Sequence, residues 1–253
     1  MTRSNILLIP TPKPRAQCRL LVFHHACGNA SSYYHWASSM PPEIEIALVE
    51  LPGRGRHIRH APVASVSAMH DWLNELSDHL PEKYGVFGHS MGALVGYHFA
   101  HEMVRRGLPP CWLGISGVDA PHAVCPAARI SHQPVHEQSD QEIISYLRTL
   151  GGTPFEVLEN PQLLEMLLRL ARADFGLVHE LFEIAARLKV PVPLTVFSGR
   201  QDSLQTEQGI KAWALATSSE IRYHSFDGGH FYMQQQTSQI LTAITHELKM
   251  TMQ

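Results

Sequence analysis

At 253 residues, with 44% hydrophobic and 17% charged positions, the chain has enough apolar material for one large domain and no compositional sign of disorder. A formal net charge of -3 without long blocks of like charge gives no electrostatic footprint for nucleic acid. The apolar patch Ile6-Leu7-Leu8-Ile9 is stopped by Pro10, Pro12 and Pro14, too short for a signal segment or a membrane span, so a cytoplasmic protein with no membrane partner is expected.

Behind this leader, Leu20 to Phe23 and Ile44 to Leu51 read as buried strands. Each runs into loop chemistry: His24-His25-Ala26-Cys27-Gly28-Asn29 after the first and Pro52-Gly53-Arg54-Gly55-Arg56 after the second. Ser67 to Leu80 has helical spacing through Met69, Trp72, Leu73, Leu76 and Leu80, closed by Pro81. A further strand, Tyr84 to Phe87, leads through Gly88-His89-Ser90-Met91-Gly92 into a helix over Met91 to Arg106, with Gly107 as its C-terminal cap. Strands follow at Trp112 to Ser116, Leu194 to Ser198 and Ile221 to Phe226, with a closing helix over Ser238 to Leu248. Strands alternating with helices predict a mostly parallel sheet covered on both faces.

The stretch from about Ser139 to Leu188 carries helical patterns only. One helix starts near Asp140 and ends at Gly151-Gly152; a second opens with Asn160 as N-cap and Pro161 at its first position, and its leucines cover more than one face. Such an insertion in a single domain of residues 1–253 is either a cap over an active site or an ordinary helical layer.

Ser90 sits where a strand turns sharply into a helix, a position that projects a hydroxyl from the end of a sheet. Serine needs a base, and the base needs an acid to fix its tautomer. His230, in Asp227-Gly228-Gly229-His230-Phe231 after the last strand, is the expected base. Asp202, after Leu194 to Ser198, is the expected acid, with Asp227 and Asp119 as competitors. Serine, acid, histidine is the chain order of α/β-hydrolases. The expected oxyanion donors are the N–H of Met91, next to the nucleophile, and one from the loop after Phe23. The bland alternatives are a capping Ser90 and an Asx-turn at Asp202; His89 is set aside as base because neighbouring side chains on the turn point apart.

Cys18, Cys27, Cys111 and Cys125 show no CxxC spacing and are expected to be reduced thiols. Seventeen histidines include the pairs His57/His60, His98/His101 and His132/His136, none in an HExxH arrangement, so no metal site is expected.

Phe23-His24-His25-Ala26-Cys27-Gly28, Leu51-Pro52-Gly53-Arg54-Gly55, the serine pentapeptide, Leu150-Gly151-Gly152-Thr153-Pro154, Arg172-Ala173-Asp174-Phe175 and Gly229-His230-Phe231 together resemble the type II thioesterases. Those are free-standing editing enzymes of nonribosomal peptide and polyketide assembly lines. The resemblance implies an α/β-hydrolase with a helical lid, Ser90, Asp202 and His230 as triad, and the Ala26 and Met91 N–H groups as oxyanion hole. It also implies hydrolysis of stalled acyl or aminoacyl thioesters from the phosphopantetheine arm of acyl or peptidyl carrier proteins by a monomer without a cofactor. The chain departs from the family's early loop, which carries a proline and a double glycine where this one has His24 and Cys27; a Cys27 nucleophile is the rival this raises. An acyltransferase or small-ester esterase would use the same triad. Arg54, Arg56 and Arg59 offer either a docking patch for an acidic carrier or a solvated loop.

Overall fold

The computed structural model describes residues 6–123 and 133–252. Its seven strands are β1 (Leu7–Leu8), β2 (Cys18–Phe23), β3 (Ile44–Val49), β4 (Tyr84–His89), β5 (Trp112–Ser116), β6 (Leu194–Gly199) and β7 (Ile221–Phe226). They form one sheet in the order β1-β3-β2-β4-β5-β6-β7, parallel except for β1. β3 and β4 are buried along their whole length, as near-continuous apolar runs require in a sheet covered on both faces. The edge strand β7 is mostly half-exposed.

The helices include α1 (Tyr34–Ser39), α2 (Val66–Ser77), α3 (Met91–Arg105), α4 (Asp140–Leu150), α5 (Phe155–Glu159), α6 (Pro161–Ala185), α7 (Glu207–Lys211), α8 (Tyr232–Gln235) and α9 (Thr237–Met252). One face of the sheet is covered by α2, α3 and the C-terminal half of α6, through Met69, Leu73, Leu94, Val95, Leu177 and Leu181. The other is covered by α1 and α9, through Trp36, Ile240, Ile244 and Leu248. None of the described helices is long and apolar enough to cross a membrane.

Helix ends follow the side chains that can satisfy their free backbone groups. The Asn160 side chain accepts from the N–H groups of Gln162 and Leu163, with Pro161 at the first helical position. Ser139 and Glu142 form a reciprocal capping box at the start of α4. The segment α4–α6 has its own apolar cluster of Ile143, Leu147, Leu158, Leu167 and Ala171. Its leucine-rich helix does pack on two sides, against this cluster and against the sheet-covering core, while Leu163 and Met166 remain exposed.

Five of these short strands and helices fall outside the sequence reading. The apolar leader contributes β1 at the sheet edge, antiparallel to β3 with Leu7 opposite Val49. α1, α5, α7 and α8 span too little chain for a hydrophobic period to register.

Candidate active site

The turn between β4 and α3 holds Ser90 at φ 55, ψ -118, a backbone state that L-residues enter only under constraint. Two glycines make that constraint possible. A Cβ at Gly88 would lie 2.0 Å from the Gly92 carbonyl oxygen, and one at Gly92 would lie 2.3 Å from that of Phe23. Bare backbone therefore lets the start of α3 press against the end of β2. Ser90 makes no side-chain cap for α3, which removes its bland reading, and its N–H is tied to the Ser116 carbonyl at 2.7 Å.

Asp202 and His230 come from the C-terminal ends of β6 and β7, the edge where ligands bind in open α/β sheets. His230 Nδ1 lies 2.9 Å from Asp202 Oδ2, with both side chains almost fully buried. The other carboxylate oxygen accepts the Leu204 N–H at 3.0 Å, so the Asx-turn and the histidine contact coexist. A carboxylate only accepts, so Nδ1 carries the proton and Nε2 is left as the acceptor. The competing acids are engaged elsewhere. Asp227 is solvent-exposed and paired with Arg200, and Asp119 accepts from the backbone and hydroxyl of Thr206.

His89 points beneath the turn. Its Nδ1 meets the Ser116 hydroxyl at 2.8 Å, which in turn meets the Tyr232 hydroxyl at 2.6 Å, and burial holds its pKa well below the ordinary histidine range. The ring is fully buried and stays neutral, 5.0 Å from the His230 ring. His25 lies edge-on to the His89 ring, 6.1 Å between centroids, and burial, followed by His230 and Arg54, lowers its pKa to about 4.

The loop after β2 is tied at several points. His24 Nδ1 donates to the His25 carbonyl at 2.9 Å, while its Nε2 accepts the Leu51 N–H at 3.3 Å. Burial, followed by the Arg54 charge, keeps this imidazole neutral, consistent with that pattern. Cys27 has φ 61, a left-handed conformation that costs an L-residue about 1–2 kcal/mol. Its thiol is pushed far above the usual range by burial and the Asp174 carboxylate, which removes the thiolate that a cysteine nucleophile needs. The Ala26 N–H finds no acceptor among the described residues, and Met91, at the first position of α3, has no intrahelical partner for its N–H.

Ser90, Met91, Ala26 and His230 all line one cavity of about 990 Å³. Leu94, Leu147, Phe175, Val178 and Phe182 give it apolar walls, several of them from the helical segment. Among the described residues no group of three or more His, Cys, Asp or Glu side chains is arranged to hold a metal ion. Cys125 and His132 lie outside the described residues. Cys18, Cys27 and Cys111 are free thiols, with the sulfurs of Cys18 and Cys111 3.9 Å apart.

Spacing does not reveal the ion pair between Arg54 and Asp174. The guanidinium grips both carboxylate oxygens at 2.8 and 2.7 Å, with 3% and 0% of the side chains exposed. Arg54 is therefore withdrawn from any docking surface, while Arg59 remains exposed. Each partner stands in one of the resemblance motifs, a signal that marks the position without its role.

A parallel sheet with a strained serine at the β4–α3 turn and a buried aspartate–histidine pair at the same edge defines an α/β-hydrolase. The chain belongs to the thioesterase domain family, whose model matches residues 18–248, and is a thioester hydrolase. It is 35% identical, over 97% of its length and 93% of the relative's, to linear gramicidin dehydrogenase LgrE of Brevibacillus parabrevis. It is 28% identical to the gramicidin S biosynthesis protein GrsT of Aneurinibacillus migulanus, covering 94% and 91% of the two chains. Among solved structures it resembles YbtT, a type II thioesterase from the yersiniabactin NRPS/PKS biosynthetic pathway, with TM-score 0.84, 27% identity and coverage of 98% and 100%. Although LgrE is called a dehydrogenase, the turn after β4 carries a strained serine here, and the chain has no G-x-G-x-x-G dinucleotide fingerprint.

Proposed function

We propose that the protein hydrolyses acyl or aminoacyl thioesters from the phosphopantetheine arm of acyl or peptidyl carrier proteins of a nonribosomal peptide or polyketide assembly line. It acts as a cytoplasmic monomer without a cofactor of its own. Ser90 Oγ attacks the thioester carbonyl as His230 Nε2 takes its proton, and Asp202 holds the imidazole through Nδ1–H. The Ala26 and Met91 N–H groups receive the negative oxygen of the tetrahedral intermediate. Collapse expels the pantetheine sulfur, which takes the proton from His230. Water, deprotonated by the same nitrogen, then cleaves the acyl-serine and regenerates the hydroxyl.

One observation carries the chemical part of this reading: the 2.9 Å contact between His230 and Asp202 beside a cavity that also exposes Ser90 and Ala26. The apolar walls suit an acyl chain, and the segment from residue 139 to 188, which supplies several of them, acts as a lid. The carrier-borne substrate is supported by the biosynthetic settings named for GrsT and YbtT.

The test measures acyl release from a loaded carrier protein and from the same acyl group on a small thiol. Ser90→Ala should abolish both, and the wild type should favour the carrier. Near-normal turnover by Ser90→Ala would sink the triad. Equal rates on carrier and small thiol would sink the carrier substrate and leave the triad standing, and acyl groups appearing on an alcohol or amine would indicate a transferase instead.

A further inference from the structure

The Arg54–Asp174 pair lies directly behind the loop assigned to the oxyanion hole. Asp174 Oδ2 accepts the Cys27 N–H at 2.7 Å and one Arg54 N–H at 2.8 Å, while Oδ1 takes a second Arg54 N–H at 2.7 Å. Arg54 also donates to the Gly28 carbonyl at 3.3 Å. The pair therefore holds Cys27 and Gly28 by their backbone, on the chain segment next to Ala26. The Cys27 side chain is anchored as well, packing against the apolar cluster of α4–α6. Glu50 braces the same region by accepting the N–H groups of Ala30 at 3.1 Å and Arg56 at 2.9 Å.

The need for such a clamp follows from the conformation. Cys27 has a Cβ yet sits at φ 61, so left to itself this residue relaxes toward negative φ and rotates the peptide planes on either side. The Ala26 N–H is one residue away. An oxyanion donor acts only if it already points at the place where charge develops, because turning it during the reaction forfeits the gain. A full carboxylate on the Cys27 N–H is among the stronger acceptors a protein can offer. Burial of that carboxylate in turn requires the guanidinium.

We propose that Arg54 and Asp174 are positioning residues for the oxyanion hole: Asp174, carried on α6, holds Cys27 in its left-handed state and so aims the Ala26 N–H at the developing oxyanion. The inference rests on the reading of Ser90 as nucleophile and Ala26 as donor. Its consequence is a mechanical link between the helical segment and the chemistry. The helix whose side chains line the acyl cavity also carries the carboxylate that sets the donor loop, so the hole is complete only when α6 is seated.

The experiment uses the full chain and three variants. Asp174→Asn keeps the shape and weakens the acceptor. Arg54→Met with Asp174→Leu replaces the ion pair by apolar side chains, an exchange that buried pairs commonly tolerate without loss of stability. The third adds Cys27→Gly to the double change, because glycine enters positive φ without strain. Readouts are kcat and KM on an acyl thioester, urea midpoint, and inhibition by an alkyl trifluoromethyl ketone, whose hemiketal oxygen on Ser90 mimics the intermediate.

A folded double variant should lose roughly 10- to 1,000-fold in kcat with KM nearly unchanged, the upper end being that of a lost oxyanion donor. Trifluoromethyl ketone affinity should fall in parallel, and Cys27→Gly should recover part of both. Asp174→Asn should follow the same pattern in the population that remains folded. If the folded double variant keeps kcat and inhibitor affinity within threefold of wild type, the pair is only structural and the inference is overturned. A wild-type protein that forms no Ser90 adduct overturns the parent reading and this inference with it; an adduct equally tight in all variants overturns this one alone.

Discussion

Replacing Ser90 by glycine should stabilise the protein relative to Ser90→Ala while both variants lose hydrolysis. The turn holds Ser90 at φ 55, ψ -118, and a non-glycine residue in such a state stores about 1–3 kcal/mol of strain. Alanine keeps the Cβ and therefore the strain; glycine removes it. Against this gain stands glycine's greater freedom in the unfolded chain, a loss of about 0.5–1 kcal/mol. The difference favours Ser90→Gly by about 1 kcal/mol, or roughly 2–4 °C in Tm for a chain of this size. The Ser90 N–H bond to the Ser116 carbonyl is backbone on both sides and survives either change. Calorimetry of the two purified variants, with urea titration as a second measure, reads the difference directly. Should Ser90→Gly melt at or below Ser90→Ala, the turn is not strained and the tension assigned to Ser90 is wrong.

At the other end of the turn, Gly92→Ala places a methyl 2.3 Å from the Phe23 carbonyl oxygen, and backbone cannot step aside. It should cost about 1–3 kcal/mol of stability and depress kcat by separating Met91 from the Ala26 loop, both visible in urea midpoints and thioester turnover; unchanged kcat would show that α3 tolerates the shift. Asp202→Asn should lower kcat by roughly two to four orders of magnitude with little change in KM, since the amide can donate to Nδ1 and install the wrong tautomer; steady-state kinetics decide it. A pH effect is expected away from the site. Burial, then His70 at 3.1 Å, lowers the pKa of His98 to about 4. The unfolded chain binds that proton near pH 6.5 and the folded chain only near 4, so the unfolded state holds more protons between them and stability falls as pH drops through that window. The contribution is at most roughly 3 kcal/mol. Urea midpoints of His98→Gln from pH 7 to 4 should fall less steeply than those of the wild type, and parallel curves would refute the assignment.

What the sequence by itself determined is what depends on local pattern. Apolar runs gave β4, β5 and β6 close to their observed bounds, and Asn160-Pro161 marked the start of α6, because strand burial and helix capping are written within a few residues. The order of Ser90, Asp202 and His230, each just after a predicted strand, was legible for the same reason: a parallel sheet gathers the ends of its strands at one edge. Elimination among the competing acids was not. Only the folded chain exposes Asp227 to solvent and turns Asp119 toward Thr206, since side-chain direction and solvent access are set by packing.

The same limit hid the loop clamp. Arg54 and Asp174 are separated by 120 positions, and nothing in their spacing makes one the partner of the other. In sequence Arg54 reads as one more cation in a basic loop. Burial reverses that reading, because a guanidinium and a carboxylate withdrawn from water must find each other, and only the tertiary structure decides that they meet on the backbone of Cys27.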